Sequence, residues 1–325
     1  MTPEFLRGSI APVFTAFNED LSFDEEGQRR LLDFLLDRGG ISAYFLRSGM
    51  GQMYAFSYEE AQQMARVGCA HLRGRAPALI GCAGIWDRNR DRRPDPEVYT
   101  RQSIELGKYA QDQGADGVVF TIPEGLAPNT GQTHHEVVLR FFEAITGALS
   151  GPILIYQPPG TDEDYCVTPD LMRALSALPN VCGIKLSTMD AEYMCAIGAA
   201  LEGSETVFIC GCETVFYAAL PSGARAVIGQ GATLNPHVLN AIQTRVEAGD
   251  WAGAMQAQRV ANHLCRSGSN PVEFFKRYAA EHGYAVKPYG RLYEDNPYIK
   301  SPTPLSPADY LRFKALFEAE CAPYG

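Results

Sequence analysis

Gly151-Pro-Ile-Leu-Ile-Tyr156-Gln-Pro-Pro and Val181-Cys-Gly-Ile-Lys185-Leu-Ser-Thr are two short apolar runs, each ending in polar residues and separated by a longer stretch. Runs of this length, apolar on both alternating faces, read as parallel strands covered on both sides, with the stretch between them supplying a helical crossover. The same alternation recurs along the chain. Strands are expected at Ile10–Ala16, Ser42–Arg47, Ala78–Cys82, Gly117–Thr121, Ile153–Tyr156, Gly183–Leu186, Val207–Cys210 and Ala226–Gly229. Helical patterns fill the gaps. Asp24–Arg38 carries Leu31, Leu32, Phe34, Leu35 and Leu36, and Ser57–Leu72 begins Ser-Tyr-Glu-Glu, a capping box in which Glu60 reaches back to the cap. Eight such units with no GxGxxG after the first strand favour an α/β fold of the (β/α)8 TIM-barrel type over an open dinucleotide-binding sheet.

After Asn235 the strand pattern stops, and helices are expected at Pro236–Ala248, Trp251–Ser267, Pro271–His282 and Ser306–Ala322. The expected division is a barrel over 1–234 carrying the active site and a C-terminal helical extension over 235–325 packed on it. Between the last two helices, Lys287–Pro304 is rich in Pro, Tyr and charge and reads as an ordered connector crossing the barrel.

The 325-residue chain is 46% hydrophobic with a formal charge of −10, which fits one large core and disfavours a general affinity for nucleic acid. Its first residues lack the pattern of a secretory signal, and no apolar run reaches membrane-spanning length, so a soluble cytoplasmic protein is expected. Nine cysteines, among them Cys69, Cys166, Cys195 and Cys265, show no CxxC pairing, and Cys210 and Cys212 alternate along one strand. They read as reduced thiols. The six histidines form no ligand motif, so a metal is not expected.

In a barrel of this kind, chemistry sits where the strands end at their C-terminal side. Lys185 ends the sixth run inside the barrel, where loss of hydration lowers an ammonium pKa and leaves a nucleophilic amine. Such an amine attacks a ketone to give an imine that stabilises a carbanion on the next carbon, opening aldol addition, aldol cleavage and dehydration. The competing reading of Lys185 is an ion-paired or snorkelling lysine. Tyr156 ends the neighbouring run, ~5 Å away, within reach to move protons. The turn Ser48-Gly49-Met50-Gly51-Gln52 after the second run offers backbone N–H groups to a carboxylate.

Taken together these residues resemble the dihydrodipicolinate synthase and N-acetylneuraminate lyase family of class I aldolases over nearly the whole chain. Gly183-Ile184-Lys185 and Tyr156 match family signatures, and Ser48–Gln52 aligns with its G-[ST]-T-G-E loop. Pro12, Gly114–Gly117, Gly211–Glu213, Gly229–Gly231 and the segment from Arg291 to Ser306 add to the likeness. The resemblance implies pyruvate or another 2-oxo acid bound as an imine to Lys185, its carboxylate held at Ser48–Gly51, no metal and no organic cofactor, and a homo-oligomer, tetramer or dimer. Gln157, Glu213 and Gln230 are expected to contact the second substrate, an aldehyde. The chain departs from the pattern at Met50, where the family has a threonine, at Glu124-Gly125, where synthases carry a tyrosine relayed from a neighbouring subunit, and at Thr161, where they carry a carboxylate-binding arginine. Dihydrodipicolinate synthesis is therefore not expected. The leading expectation is a lyase making or breaking a carbon–carbon bond next to pyruvate. Alternatives are a 2-oxo sugar-acid dehydratase using the same imine and a catalytically silent barrel that binds a small 2-oxo acid. The insertion Trp86–Arg93 gathers Arg88, Arg90, Arg92 and Arg93 on the catalytic face. It either contacts an anionic or extended substrate or is a solvated loop neutralised by Asp87, Asp91 and Asp95.

Overall fold

A computed structural model describes residues 2–291 and 304–325. Eight strands pair in parallel, each with its sequence neighbours, and the eighth closes on the first: β1 (Gly8–Pro12), β2 (Ala43–Leu46), β3 (Ala78–Gly81), β4 (Gly117–Thr121), β5 (Ile153–Gln157), β6 (Val181–Leu186), β7 (Val207–Cys210) and β8 (Ala224–Val227). The fold is the expected (β/α)8 barrel. β6 begins two residues earlier than expected, at Val181, and two other strand ranges are corrected. β1 begins two residues earlier than expected and ends at Pro12, after which Val13 bonds singly to the Phe45 carbonyl. β8 also begins two residues earlier and ends at Val227, since Gly229 leaves the sheet to cap the helix that follows.

Helices α1 (Glu25–Arg38), α2 (Tyr58–Leu72), α3 (Pro96–Asp112), α4 (His134–Ala148), α5 (Pro169–Ser176), α6 (Ala191–Ala200), α7 (Phe216–Ala219) and α8 (Gln230–Leu234) follow the eight strands in turn. Their starts are written in the sequence. Asp24 accepts from the Gly27 N–H to cap α1, and Ser57 and Glu60 form the reciprocal capping box of α2. The tail helices are α9 (Pro236–Glu247), α10 (Trp251–Ser267), α11 (Pro271–Glu281) and α12 (Pro307–Cys321). Helix α9 lies along β1, where Asn240 receives the Ser9 hydroxyl and backbone N–H and donates to the Gly40 carbonyl. The first part of the expected connector, 287–291, is non-helical; the remainder up to 303, including most of the Arg291–Pro304 likeness, lies outside the described residues.

Strand alternation divides the apolar residues into two layers. Ile10, Phe45, Leu79, Val119, Leu154 and Ile209 point inward and fill the barrel, while Phe14, Leu46, Ile80, Phe120, Ile155 and Ile184 face the helices. Each such side chain contributes roughly 1.5–3 kcal/mol when fully buried, and both layers are closed to water. On β5 and β6 the same alternation sends Tyr156 and Lys185 to the inside, and they lie opposite each other in register.

Candidate active site

Lys185 is the last inward side chain of β6, and its Nζ sits 4.0 Å from the centroid of the Tyr156 ring. Only 5% of the lysine is exposed. Burial pushes its pKa from 10.5 to about 8, against the opposing influence of Cys212, Glu213 and Cys210. The Tyr156 face also favours the charged form through its π electrons, but lost hydration outweighs it. Tyr156 is wholly buried, and its ring meets Phe45 edge to face at 6.2 Å. An amine that loses its proton near neutrality beside a phenol is equipped for attack on a carbonyl with proton transfer close by.

The turn after β2 is tied down by its own polar groups. The Ser48 hydroxyl donates to the Val13 carbonyl at 3.3 Å and accepts the Gly51 N–H at 3.0 Å. Thr15 donates to the Gly51 carbonyl, and the N–H groups of Gln52 and Met53 close on the carbonyls of Gly49 and Ser48. A side chain at Gly51 would put its Cβ 2.6 Å from the Val13 oxygen, so only glycine lets the turn pack this closely. None of these bonds uses the N–H groups of Gly49 or Met50, which leaves those two as the donors suited to a carboxylate. Ser48 is thus a brace for the turn expected to hold the carboxylate. Gln52 ends the same turn. It takes a left-handed conformation (φ 63°), and its amide grips the backbone of Arg291, accepting from the N–H at 3.1 Å and donating to the carbonyl.

Gln157 follows Tyr156 and so points out of the barrel, where its Oε1 accepts the Val167 N–H at 2.8 Å and the Tyr193 hydroxyl at 3.2 Å. Its expected role as a substrate contact does not fit that direction. Glu213 does face the site. It is buried, burial raises its carboxyl pKa, and Lys185 and the Gly231 N–H, 3.2 Å from Oε1, act the other way. The carboxyl lies so close to Gly229 that a Cβ there would come within 1.9 Å of Oε2. Gln230 donates to the Cys265 thiol of α10 at 3.4 Å, and Gln258 of the same helix holds the Glu213 carbonyl. The tail helices therefore help place the carboxyl that faces Lys185.

Sequence reading missed Tyr54, Lys276 and the pairing of Glu124. Glu124, just beyond β4, accepts Arg88 through one oxygen and Arg90 through the other, both at 3.0 Å, so neither reading of the arginine loop was complete. Only Arg92 pairs with Asp87, and Asp95 caps α3. Tyr54 packs on the cluster inside the barrel, with the Arg88 guanidinium 5.6 Å from its ring centre. Lys276 of α11 is fully buried, has its pKa pushed down to about 7 by burial, and donates to the Tyr289 carbonyl at 2.5 Å. Its place between Val272 and Ala279 on the apolar face of α11 was the one available signal. Thr161 donates to the Pro158 carbonyl and stays in the loop after β5.

A sequence model of the dihydrodipicolinate synthetase family matches residues 5–276. The chain belongs to that family. It is a divergent aldolase/lyase of the dihydrodipicolinate synthetase family: it is 28% identical over 235 residues, 71% of each chain, to the putative 2-dehydro-3-deoxy-D-gluconate aldolase YagE of Escherichia coli K12. It is 26% identical to a 4-hydroxy-tetrahydrodipicolinate synthase of Thermus thermophilus over 270 residues, 82% of this chain and 83% of that one. In fold it is similar to crystalline YagE from E. coli K12 in complex with pyruvate, with a TM-score of 0.76, 24% identity and coverage of 97% and 98% of the two chains. It is equally similar to N-acetylneuraminate lyase from Mycoplasma synoviae, with a TM-score of 0.77, 18% identity and 98% coverage of both. Among the described residues no helix is long and apolar enough to cross a membrane.

Proposed function

We propose that this member of the dihydrodipicolinate synthetase family binds pyruvate or a close 2-oxo acid as an imine on Lys185 and makes or breaks the carbon–carbon bond to an aldehyde. The observation that carries this is the buried Lys185 amine over the Tyr156 ring, with its pKa held at about 8. In the addition direction the amine replaces the ketone oxygen, which leaves as water. A proton then leaves the methyl carbon to give an enamine, and the enamine electron pair attacks the aldehyde carbon while the aldehyde oxygen takes up a proton. Hydrolysis of the new imine returns the free amine. Tyr156 is the group suited to carry these protons, and the N–H groups of Gly49 and Met50 are suited to the 2-oxo acid's carboxylate. The pyruvate complex of the YagE structure supports the choice of 2-oxo acid.

A dehydratase acting on a 2-oxo sugar acid is the second reading. Glu213 favours it, since a buried carboxyl whose pKa burial raises, near enough to Lys185 to feel its charge, is placed to give a proton to a departing hydroxyl. The Lys185–Tyr156 pair argues against a silent barrel. The expectations of a homo-oligomer and of a cytoplasmic location are kept as part of this proposal; light scattering tests the first. Incubation with pyruvate and borohydride, followed by mass analysis of the Lys185 peptide, tests the imine. A reduced pyruvyl adduct on Lys185 is expected, and its absence refutes the proposal. Product analysis with 2-oxo sugar acids then separates retro-aldol cleavage from dehydration.

A further inference from the structure

Arg38, the last residue of α1, lies among aromatic rings with no acid to balance it. Its guanidinium carbon stands 5.6 Å from the centre of the Phe34 ring and 5.7 Å from that of Phe317, and one terminal nitrogen donates to the Leu234 carbonyl at 2.8 Å. The ionisable groups that act on its charge are Tyr278 and Cys321, and among the described residues no carboxylate pairs with it. Burial lowers its pKa, the mark of a cation that has lost water. Its Nε–H is buried and has no acceptor. Asn235 is a second orphan donor. It is 5% exposed, its Nδ2 has no partner, and its Oδ1 is turned to Gly231, where a Cβ would come within 3.2 Å. Its side chain makes no cap bond to α9, so the first turn of that helix lacks a side-chain acceptor. Both residues line a cavity of about 270 Å³, whose walls include Val238, Tyr278, Phe317 and Glu318. Buried donors without acceptors cost stability that a ligand with acceptor oxygens recovers.

We propose that this cavity binds a small organic monoanion, a carboxylate carried on an apolar body, independently of the chemistry at Lys185. The place is on the flank of the barrel, at the end of α1 that leads into β2 and so away from the strand ends that carry Lys185. The carboxylate oxygens accept from the Arg38 Nε–H and the Asn235 amide, and the body packs on Val238, Tyr278 and Phe317. A neutral ligand leaves the Arg38 charge unanswered. A dianion such as phosphate fits less well, because its second charge meets Glu318 and its small volume leaves the apolar wall uncovered. The bound carboxylate joins α1 to the start of α9, beside the bond that Arg38 makes to the last residue of α8.

The test uses benzoate as the probe, titrated calorimetrically at neutral pH in a buffer without phosphate or other carboxylates, beside benzamide and inorganic phosphate. Saturable binding of benzoate is expected with a Kd of about 1 mM or tighter, and both other compounds at least about 10-fold weaker. Asn235→Asp keeps the shape of the side chain but replaces its donor with a negative charge. It is expected to weaken benzoate at least about 10-fold, while circular dichroism and the melting of the free protein show the fold retained. Should that variant not fold, crystals of the unaltered protein soaked in 4-iodobenzoate give an independent answer, with the iodine, located by anomalous scattering, expected against Phe317 and Val238. No saturable binding, benzamide or phosphate binding as well as benzoate, a folded Asn235→Asp variant that binds unchanged, or an iodine at the barrel mouth each overturns the inference.

Discussion

In the proposed reaction Lys185 is the nucleophile, and its burial is also a cost to the fold; the two are linked through one titration. With its pKa at about 8 instead of 10.5, roughly one amine in ten is neutral at pH 7, against roughly one in 3,000 for an exposed lysine, a gain of about 300-fold in nucleophile. The same difference corresponds to a penalty on the order of 3 kcal/mol for folding with the ammonium charged. The sign follows from proton counting. Between pH 8 and 10.5 the unfolded chain holds a proton on this lysine that the folded chain lacks, so stability rises with pH across that window, and below pH 8 the full penalty applies. Lys185→Met removes the charge while keeping an unbranched side chain one atom shorter. Urea unfolding of wild type and variant at pH 7 and pH 10 is expected to show the variant's advantage shrinking by about 2–3 kcal/mol between the two. In parallel, the rate of pyruvate trapping on the wild type should climb up to pH ~8 and then level off. A stability difference that stays flat with pH, or a trapping rate that keeps climbing to pH 10, would refute the reasoning.

Gln157→Ala should lower unfolding stability by about 1–3 kcal/mol, because the buried Val167 N–H loses its acceptor, yet change kcat/KM less than threefold; a larger kinetic loss would restore the residue to the substrate. Gly51→Ala forces a Cβ against the Val13 oxygen and is expected to raise the KM for pyruvate about 10-fold while the trapping rate on Lys185 at saturating pyruvate is kept, measured by steady-state and single-turnover kinetics. Gln52→Ala releases the backbone of Arg291, which also pairs with Glu60, and limited proteolysis should then cut faster near the 287–291 segment.

The closed barrel was legible in the sequence because eight runs of alternating apolar residues, each followed by an amphipathic stretch, admit few other packings. Capping residues such as Asp24 and Ser57 fixed the helix starts to within a residue. Strand ends were less legible, since β8 and the cap of α8 share glycines and apolar residues that either element accepts. The direction of Gln157 was legible as well: period-two alternation places it opposite Tyr156, toward the helices, where Val167 and Tyr193 meet it.

By itself the sequence determined the alternation of elements, the polar ends of the strands and the meeting of Lys185 and Tyr156 on adjacent inward positions, because these follow from local periodicity and strand order. Only the tertiary structure decided how charged groups distant in sequence are paired. Glu124 and Arg88 lie 36 positions apart on loops after different strands, and nothing local distinguishes their partnership from the Asp87, Asp91 and Asp95 beside the arginines. Likewise Gln52 and Arg291, or Glu213 and Gln258, meet through the tail helices folding back over the barrel. Electrostatic pairing depends on distance and burial, and those are properties of the assembled barrel mouth, fixed only when all eight strand ends are brought together.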